Sequence, residues 1–146
     1  MKLSATRDIA RPAALVFAFL SDSSNNPQWQ KGQVSCVWTS PPPISVGSTY
    51  EQEARFLGRR VASTFEVVEH EPGRSITIQT TAGSFPIRVH RRVEPIDDTA
   101  CRVTADISGE PRGFFRLAGR VLERLAQRSV DADYDRLRRL LDAGRA

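Results

Sequence analysis

The chain has 146 residues, of which 40% are hydrophobic and 26% charged, and this composition indicates one domain of a water-soluble globular protein. No apolar run approaches the roughly 18 residues of a membrane-spanning helix, which excludes an integral helical membrane protein. The two cysteines form no CxxC pair and the first residues lack a signal-peptide core, so we expect a cytoplasmic protein without a disulfide framework.

The net charge of +4 is compatible with nucleic acid or an anionic membrane surface as a partner. However, the chain holds 19 arginines and only 2 lysines, and its acidic residues are interspersed rather than segregated. This pattern is typical of an arginine-rich proteome, so we expect no nucleic-acid partner.

The first forty residues predict a strand, two short helices and a second strand. Residues Lys2 to Ala10 alternate as a strand, which Pro12 ends. The prolyl residue suits the start of a helix over Ala13 to Leu20, and a second short helix extends through Trp29. Residues Gln33 to Thr39 alternate again as a strand.

Between Gly47 and Gly109, short alternating runs are separated by turn residues, which is typical of strands joined by hairpins. The predicted strands are Ser48 to Leu57, Arg60 to Glu71, Arg74 to Thr81, Phe85 to Glu94 and Thr99 to Ser108. Short connections make successive strands antiparallel neighbours. The chain therefore predicts a seven-stranded antiparallel sheet, and a meander of this length curves as it twists.

The stretch from Pro111 to Ala146 predicts one long amphipathic helix. Its apolar residues recur at helical spacing, and at about 1.5 Å per residue it would span roughly 45 to 50 Å. A helix of that length must bury its apolar stripe against the sheet. The fold class is therefore α+β, with a curved sheet wrapped around a long C-terminal helix.

Several local patterns resemble the START-like superfamily, also called SRPBCC or helix-grip, and within it the bacterial polyketide cyclase/dehydrase-like branch. The residues that carry the resemblance are Ile9 to Pro12 followed by Val16 to Asp22, Asn26 to Trp29, Val46 to Tyr50, Val67 to Arg74, and Asp133 to Leu141. Their order covers essentially the whole chain. The resemblance implies a single START-like domain over residues 1–146, with a helix-grip fold and a ligand pocket between the sheet and the C-terminal helix.

Strand alternation then predicts which residues line such a pocket. The candidate ligand-binding residues are Trp29, Tyr50, Gln52, Phe56, Ser63, Phe65, Ile78, Thr80, Val89, Arg91, Phe114, Leu117 and Val121. The long helix would also contribute Leu122 and Leu125, and Trp29 and Trp38 would either rim the entrance or pack in the core. The alternative is an ordinary filled core in which these polar residues are incidental.

Arg91 is the most informative of these candidates because it lies on the same side of its predicted strand as the apolar residues Val89 and Val93. An arginine there must be paired, reach solvent, or meet an anionic ligand. It would otherwise lie at an exposed strand end, or be turned outward by a bulge.

The sequence contains few candidate catalytic groups. No HExxH, GxSxG or phosphate-binding glycine loop occurs, so we expect no metal and no cofactor. His70, His90 and Glu69 are expected to face solvent, and Cys36 is expected to be a small buried hydrophobe. Catalytic residues are thus not predicted.

Three function hypotheses remain. The first is a monomer or weak homodimer that binds a small hydrophobic or aromatic molecule in the pocket. The second is a cofactor-independent polyketide cyclase/dehydratase-like enzyme. The third is an interaction module that uses the arginines repeated every four residues on the long helix, Arg112, Arg116, Arg120, Arg124 and Arg128.

Overall fold

Seven antiparallel strands form one curled sheet, and a long helix packs against its concave face. The computed structural model describes residues 1–83, 86–112, 114–117 and 119–144, apart from the side chains of Phe114 and Phe115. The strands are β1 (Lys2–Ile9), β2 (Gln33–Trp38), β3 (Thr49–Phe56), β4 (Arg59–Glu71), β5 (Ser75–Gly83), β6 (Ile87–Asp97) and β7 (Ala100–Gly109). The helices are α1 (Ala13–Ser21), α2 (Asn26–Trp29), α3 (Phe114–Leu117) and α4 (Gly119–Asp142), with a 3₁₀ turn at Ser23–Asn25.

The strand order is β1-β7-β6-β5-β4-β3-β2, so the first and last strands of the chain are neighbours. Lys2 lies opposite Ser108 and Ile9 opposite Cys101, and the N-terminal amine donates to the Gly109 carbonyl at 3.0 Å. The edges of the sheet are β1 and β2. This arrangement confirms the predicted α+β helix-grip fold, including the two short helices after the first strand.

Alternation along β4, β6 and β7 decides which side chains face the helix. The buried side of these strands includes Ser63, Phe65, Val89 and Arg91, as predicted. The buried side chains of β4, β6 and β7 are Val61, Ser63, Phe65, Val67, Val89, Arg91, Val93, Cys101, Val103 and Ala105. Burial of this apolar face, together with α1, α2 and α4, forms the main core. On the convex side, Glu69 is exposed and forms an ion pair with Arg88 at 2.8 Å, as expected for that carboxylate.

Helix α4 is fixed to the sheet by a buried stripe and by ionic contacts with β1. The stripe consists of Leu122, Ala126, Tyr134, Leu137 and Leu141. Arg7 shares the inward phase of β1 and forms ion pairs with Asp135 at 2.7 Å and Asp131 at 3.5 Å. These contacts hold the second half of α4 along the edge strand.

The prediction of one unbroken helix from Pro111 to Ala146 is wrong. Pro111 and Arg112 are not helical, and within the described residues α3 ends at Leu117 and α4 begins at Gly119, whose φ is +51°. Glycine adopts this left-handed conformation readily, whereas other residues do so at a cost. Helix α4 ends at Asp142, so its 24 residues span about 36 Å rather than the predicted length.

The predicted pocket-facing side of the helix is also partly wrong. Leu117 is 89% exposed, Val121 62% and Leu125 36%, so these three side chains do not lie on the buried stripe. Leu122, one residue from Val121, is 1% exposed and packs against Val61. The apolar residues of this segment occupy two sides of the helix, and the sheet covers one of them.

A candidate ligand-binding cavity

A cavity of about 200 Å³ lies between the concave face of the sheet and the middle of α4. Its apolar walls come from the sheet and the helix together, namely from Leu3, Ala54, Phe56, Val61, Ile87, Ile107, Ala126 and Val130. Polar residues of β2, β3, α4 and the segment after α2 also line it, namely Gln30, Gln33, Gln52, Arg55, Ser129 and Asp133. The cavity is therefore amphipathic.

The polar wall is a chain of amides around one thiol. The Cys36 sulfur lies 3.4 Å from Gln33 Oε1 and 3.8 Å from Gln52 Oε1. Gln33 also donates from its amide to Gln30 Oε1 at 3.3 Å, whereas the buried Gln30 Nε2 has no hydrogen-bond partner among the described residues. Burial raises the pKa of the Cys36 thiol to about 11, so this group stays protonated at neutral pH.

Asp133 places a carboxylate at the same wall. It accepts hydrogen bonds from the Lys31 backbone N–H at 3.1 Å and from Arg136 at 3.0 Å. Burial nevertheless raises the pKa of this carboxyl above its ordinary value, against the effect of those two donors and of Arg91. The carboxylate is thus held in place and is easier to protonate than a solvated aspartate.

A buried cation lies deeper in the core than this wall. Arg91 is 6% exposed, and its Nε donates to the Tyr134 hydroxyl at 2.9 Å. The guanidinium carbon lies 5.3 Å from the centre of the Trp29 ring, which in turn makes an edge contact with Tyr134 at 4.9 Å. A guanidinium over an aromatic face is stabilised electrostatically, but no carboxylate of the described residues forms an ion pair with it.

Three further polar atoms of this core region have no hydrogen-bond partner among the described residues: the Tyr50 hydroxyl, Trp29 Nε1 and Asn26 Oδ1. All three residues are at most 1% exposed.

The Tyr50 ring is packed between Phe65 at 5.2 Å and Trp38 at 5.1 Å, and its hydroxyl lies beside Ser23. Burial raises the pKa of Tyr50 strongly, so its hydroxyl is a donor. Unpaired buried polar atoms are costly, and a cluster of them next to a buried cation is characteristic of a functional site.

The structure places the predicted site residues in four groups. Gln52 and Phe56 line the cavity, and Trp29, Tyr50 and Arg91 form the buried cluster. Ser63, Phe65, Ile78 and Val89 are buried core residues that do not line the cavity. The Thr80 hydroxyl is engaged by the Ile87 backbone N–H at 2.9 Å and borders a separate surface cleft. Leu117 and Val121 are exposed, and the Phe114 side chain lies outside the described residues.

The histidines differ from their predicted positions, whereas Trp29 takes one of the two positions that the sequence left open. Trp29 is fully buried rather than at the entrance, because α2 is enclosed between α4 and β2. His70 is half-buried and stacks on Phe17 at 6.1 Å, and the half-buried His90 bonds through Nδ1 to Thr77 at 2.7 Å. Neither histidine lines the cavity.

Sequence reasoning missed Gln30, Gln33 and Asp133. Gln30 lies between α2 and β2 and Gln33 is the first residue of β2, where no periodicity distinguishes an inward side chain from an outward one. Asp133 lies in the Asp133 to Leu141 motif quoted above, and its position one turn before the buried Leu137 was an available signal. No group of three histidine, cysteine or acidic side chains placed to hold a metal ion occurs among the residues that the structure describes.

The comparisons with known proteins agree on the fold. A protein of Thermus thermophilus, TTHA0849, is 17% identical over all of both chains, with a TM-score of 0.84. A START superfamily protein from Mycobacterium smegmatis is 16% identical, with 98% of this chain and 95% of that chain covered and a TM-score of 0.79. The Zhui aromatase/cyclase from Streptomyces sp. R1128 is also 16% identical, over 94% and 90% of the two chains, with a TM-score of 0.74.

At these identities, the likeness to solved structures shows the fold alone. A search of curated proteins found no match. The family described as polyketide cyclase / dehydrase and lipid transport matches residues 1–142, which is nearly the whole chain. The chain, with its curled sheet, enclosing helix and amphipathic cavity, therefore belongs to the polyketide cyclase/dehydrase and lipid transport family.

Proposed function

We propose that this protein binds a small, mostly apolar molecule in the cavity between the sheet and α4. The observation that carries the proposal is an apolar cavity whose polar wall adjoins a buried cluster of unpaired polar atoms. A filled core would leave neither space between Ala54, Ile107 and Val130 nor unpaired polar atoms on Tyr50 and Trp29. Both features are accounted for by a ligand with an apolar body and one polar end.

The volume limits the size of the ligand. The cavity of about 200 Å³ exceeds the roughly 150 Å³ that accommodates benzene in an engineered protein cavity. It is smaller than the roughly 300–1,000 Å³ of sites for drug-sized molecules. A single aromatic ring, a compact bicyclic system or a short acyl chain therefore fits without rearrangement.

The chemistry of the cluster favours an oxygen acceptor at the polar end of the ligand. The Tyr50 hydroxyl, Trp29 Nε1 and the Arg91 guanidinium are all donors. Cys36 lies next to the cavity-lining Gln52 and within electrostatic range of Arg91, so the two regions adjoin. Rotation of the Gln52 side chain would connect them. A carbonyl, phenolate or carboxylate oxygen would then meet Arg91.

Native mass spectrometry of the purified protein, with organic extraction of any bound molecule, tests this function. The variant Ala54→Phe fills the cavity from β3, and we expect it to remove the co-purifying mass while the far-ultraviolet circular dichroism stays unchanged. Ala62→Phe is the matched control, because Ala62 is exposed on the neighbouring strand and does not line the cavity. Equal occupancy in the two variants would place the ligand elsewhere.

A second candidate function is catalysis of a cyclisation or dehydration. The observation that favours it is Asp133, a carboxyl group with a raised pKa that lines the cavity and is suited to proton transfer. A structurally similar protein is an aromatase/cyclase. If catalysis occurs, Asp133→Asn should lower turnover of a poly-β-keto substrate analogue at least 100-fold while its binding is retained. Loss of binding and turnover together would leave Asp133 a binding residue only.

A further inference from the structure

The start of the C-terminal helical segment carries a surface that the cavity does not use. We define the basic–apolar face as the arginines Arg112, Arg116, Arg120, Arg124 and Arg128 together with the exposed aliphatic residues Leu117, Val121 and Leu125. All five arginines are exposed, and none forms an ion pair with a described residue. Each of the three aliphatic residues directly follows one of the arginines.

On α4, three of the arginines lie side by side with two of the aliphatic residues, Val121 and Leu125. Successive residues of a helix are about 100° apart, so Arg120, Arg124 and Arg128 point away from the side on which Leu122 is buried. Val121 and Leu125 lie between that arginine row and the buried side. Residues 112–128 contain five arginines and a single acidic residue, Glu123. The surface is thus strongly cationic, with an apolar row along one margin.

The start of this face adjoins a hairpin whose residues line the cavity. Leu122 packs against Val61, and Phe56 and Met1 pack against the same pair, so the start of α4 adjoins the β3–β4 hairpin. Leu57 at the hairpin tip is 38% exposed and has a φ of +53°, and the exposed Arg55 lines the cavity. Exposed aliphatic and arginine side chains therefore lie both on α4 and on the neighbouring hairpin.

We propose that the basic–apolar face binds the surface of an anionic lipid bilayer, with the adjoining β3–β4 hairpin turned toward the membrane. Arginines interleaved with large aliphatic residues on a helix are typical of interfacial helices, in which the cations meet lipid phosphates and the aliphatic side chains enter the headgroup boundary. Leu117 at 89% exposure and Val121 at 62% add to the arginines an apolar component that such an interface would bury. None of the described helices is long and apolar enough to cross a bilayer, so the association is peripheral.

Vesicle co-sedimentation of the full chain tests the proposal. We expect binding to phosphatidylcholine vesicles that contain 30% phosphatidylglycerol, weak binding to phosphatidylcholine alone, and a steep loss of binding between about 0.05 and 0.5 M salt. Each arginine near an anionic surface contributes about 1 kcal/mol, so Arg120→Gln/Arg124→Gln should lower the partition coefficient about 30-fold. Leu117→Ser/Val121→Ser should also lower it, by about 10-fold or more, because the inserted aliphatic groups are lost.

The matched control is Arg74→Gln/Arg139→Gln, which removes the same charge from two exposed arginines outside the basic–apolar face. All variants change exposed residues, and thermal unfolding verifies that they are folded. Equal partition of the two charge variants would overturn the proposal, and so would equal affinity for neutral and anionic vesicles. Polyglutamate serves as a model of an acidic protein. If the affinity for polyglutamate equals that for vesicles, and if Leu117→Ser/Val121→Ser does not lower it, the face binds an acidic protein instead.

Discussion

Removal of the Arg91 charge tests the description of the buried cluster. The guanidinium is 6% exposed, and the hydrogen-bond partner found for it among the described residues is the Tyr134 hydroxyl. Methionine at this position keeps a flexible apolar chain of similar length. We expect Arg91→Met to change the free energy of unfolding by less than about 1.5 kcal/mol, in either direction.

We expect this small change because Arg91→Met adds and removes contributions of similar size to the free energy of unfolding. The variant loses a hydrogen bond from a charged group, about 1.5–3 kcal/mol, and the contact with the Trp29 ring, about 0.5–2 kcal/mol. It also removes the desolvation cost of a buried ion, which is several kcal/mol. An arginine paired with a carboxylate for structural reasons behaves differently, because breaking a buried ion pair costs about 3–5 kcal/mol.

Urea unfolding of four proteins measures these contributions: the wild type, Arg91→Met, Tyr134→Phe and the double variant. We expect Tyr134→Phe alone to cost about 1.5–3 kcal/mol, because it strips the buried cation of its acceptor, and to cost almost nothing once Arg91 is methionine. If Arg91→Met lowers the free energy of unfolding by more than about 3 kcal/mol, the charge has a structural role, and the idea that it is kept for a ligand is refuted. If an acidic ligand is identified, Arg91→Met should weaken its binding, and unchanged affinity would remove Arg91 from the site.

The remaining predictions concern the helix face and alkaline pH. Leu122→Ala should lower the free energy of unfolding by about 2–5 kcal/mol in urea, whereas Leu125→Ala should cost less than about 1 kcal/mol; equal losses would mean that both face the sheet. Burial raises the pKa of both Cys36 and Cys101 from 9.0 to about 11, so the folded state favours the neutral thiols. Their contribution to stability is fully present below pH 9 and is lost as pH rises from 9 to 11, by roughly 1–2 kcal/mol for each thiol. Cys36→Ala should make the decline of the unfolding free energy between pH 9 and 11 shallower. Parallel curves for the variant and the wild type would contradict the raised pKa of Cys36.

Period-2 alternation made the sheet predictable from the sequence. A strand that buries one face must alternate, so the inward phases of β3, β4, β6 and β7 follow from the apolar residues alone. The same rule placed Arg91 inside, where only the structure could supply its partners, since Tyr134 is 43 residues away in the chain.

The helix was harder to predict because its first half is apolar on two sides. Leu122 and Leu125 are equally hydrophobic, and helical spacing cannot decide which of them meets a sheet whose position depends on the whole fold. Trp29 was ambiguous for a similar reason, since burial of a four-residue helix is decided by what covers it. Gln30 escaped prediction because it acquires its role in the polar wall of the cavity through contacts that no local pattern encodes.

The pairing of β1 with β7 has a consequence for the order in which the molecule is assembled. Contacts such as that of the N-terminal amine with Gly109 join residues 108 positions apart, whereas the hairpins from β3 to β7 close short loops. Because long-range pairing carries the larger loop-closure cost, the meander should form first as an open trough, and β1 and α4 should dock onto it together. The cavity would then come into being in the last folding step, at which a ligand already seated on the sheet would be enclosed rather than admitted.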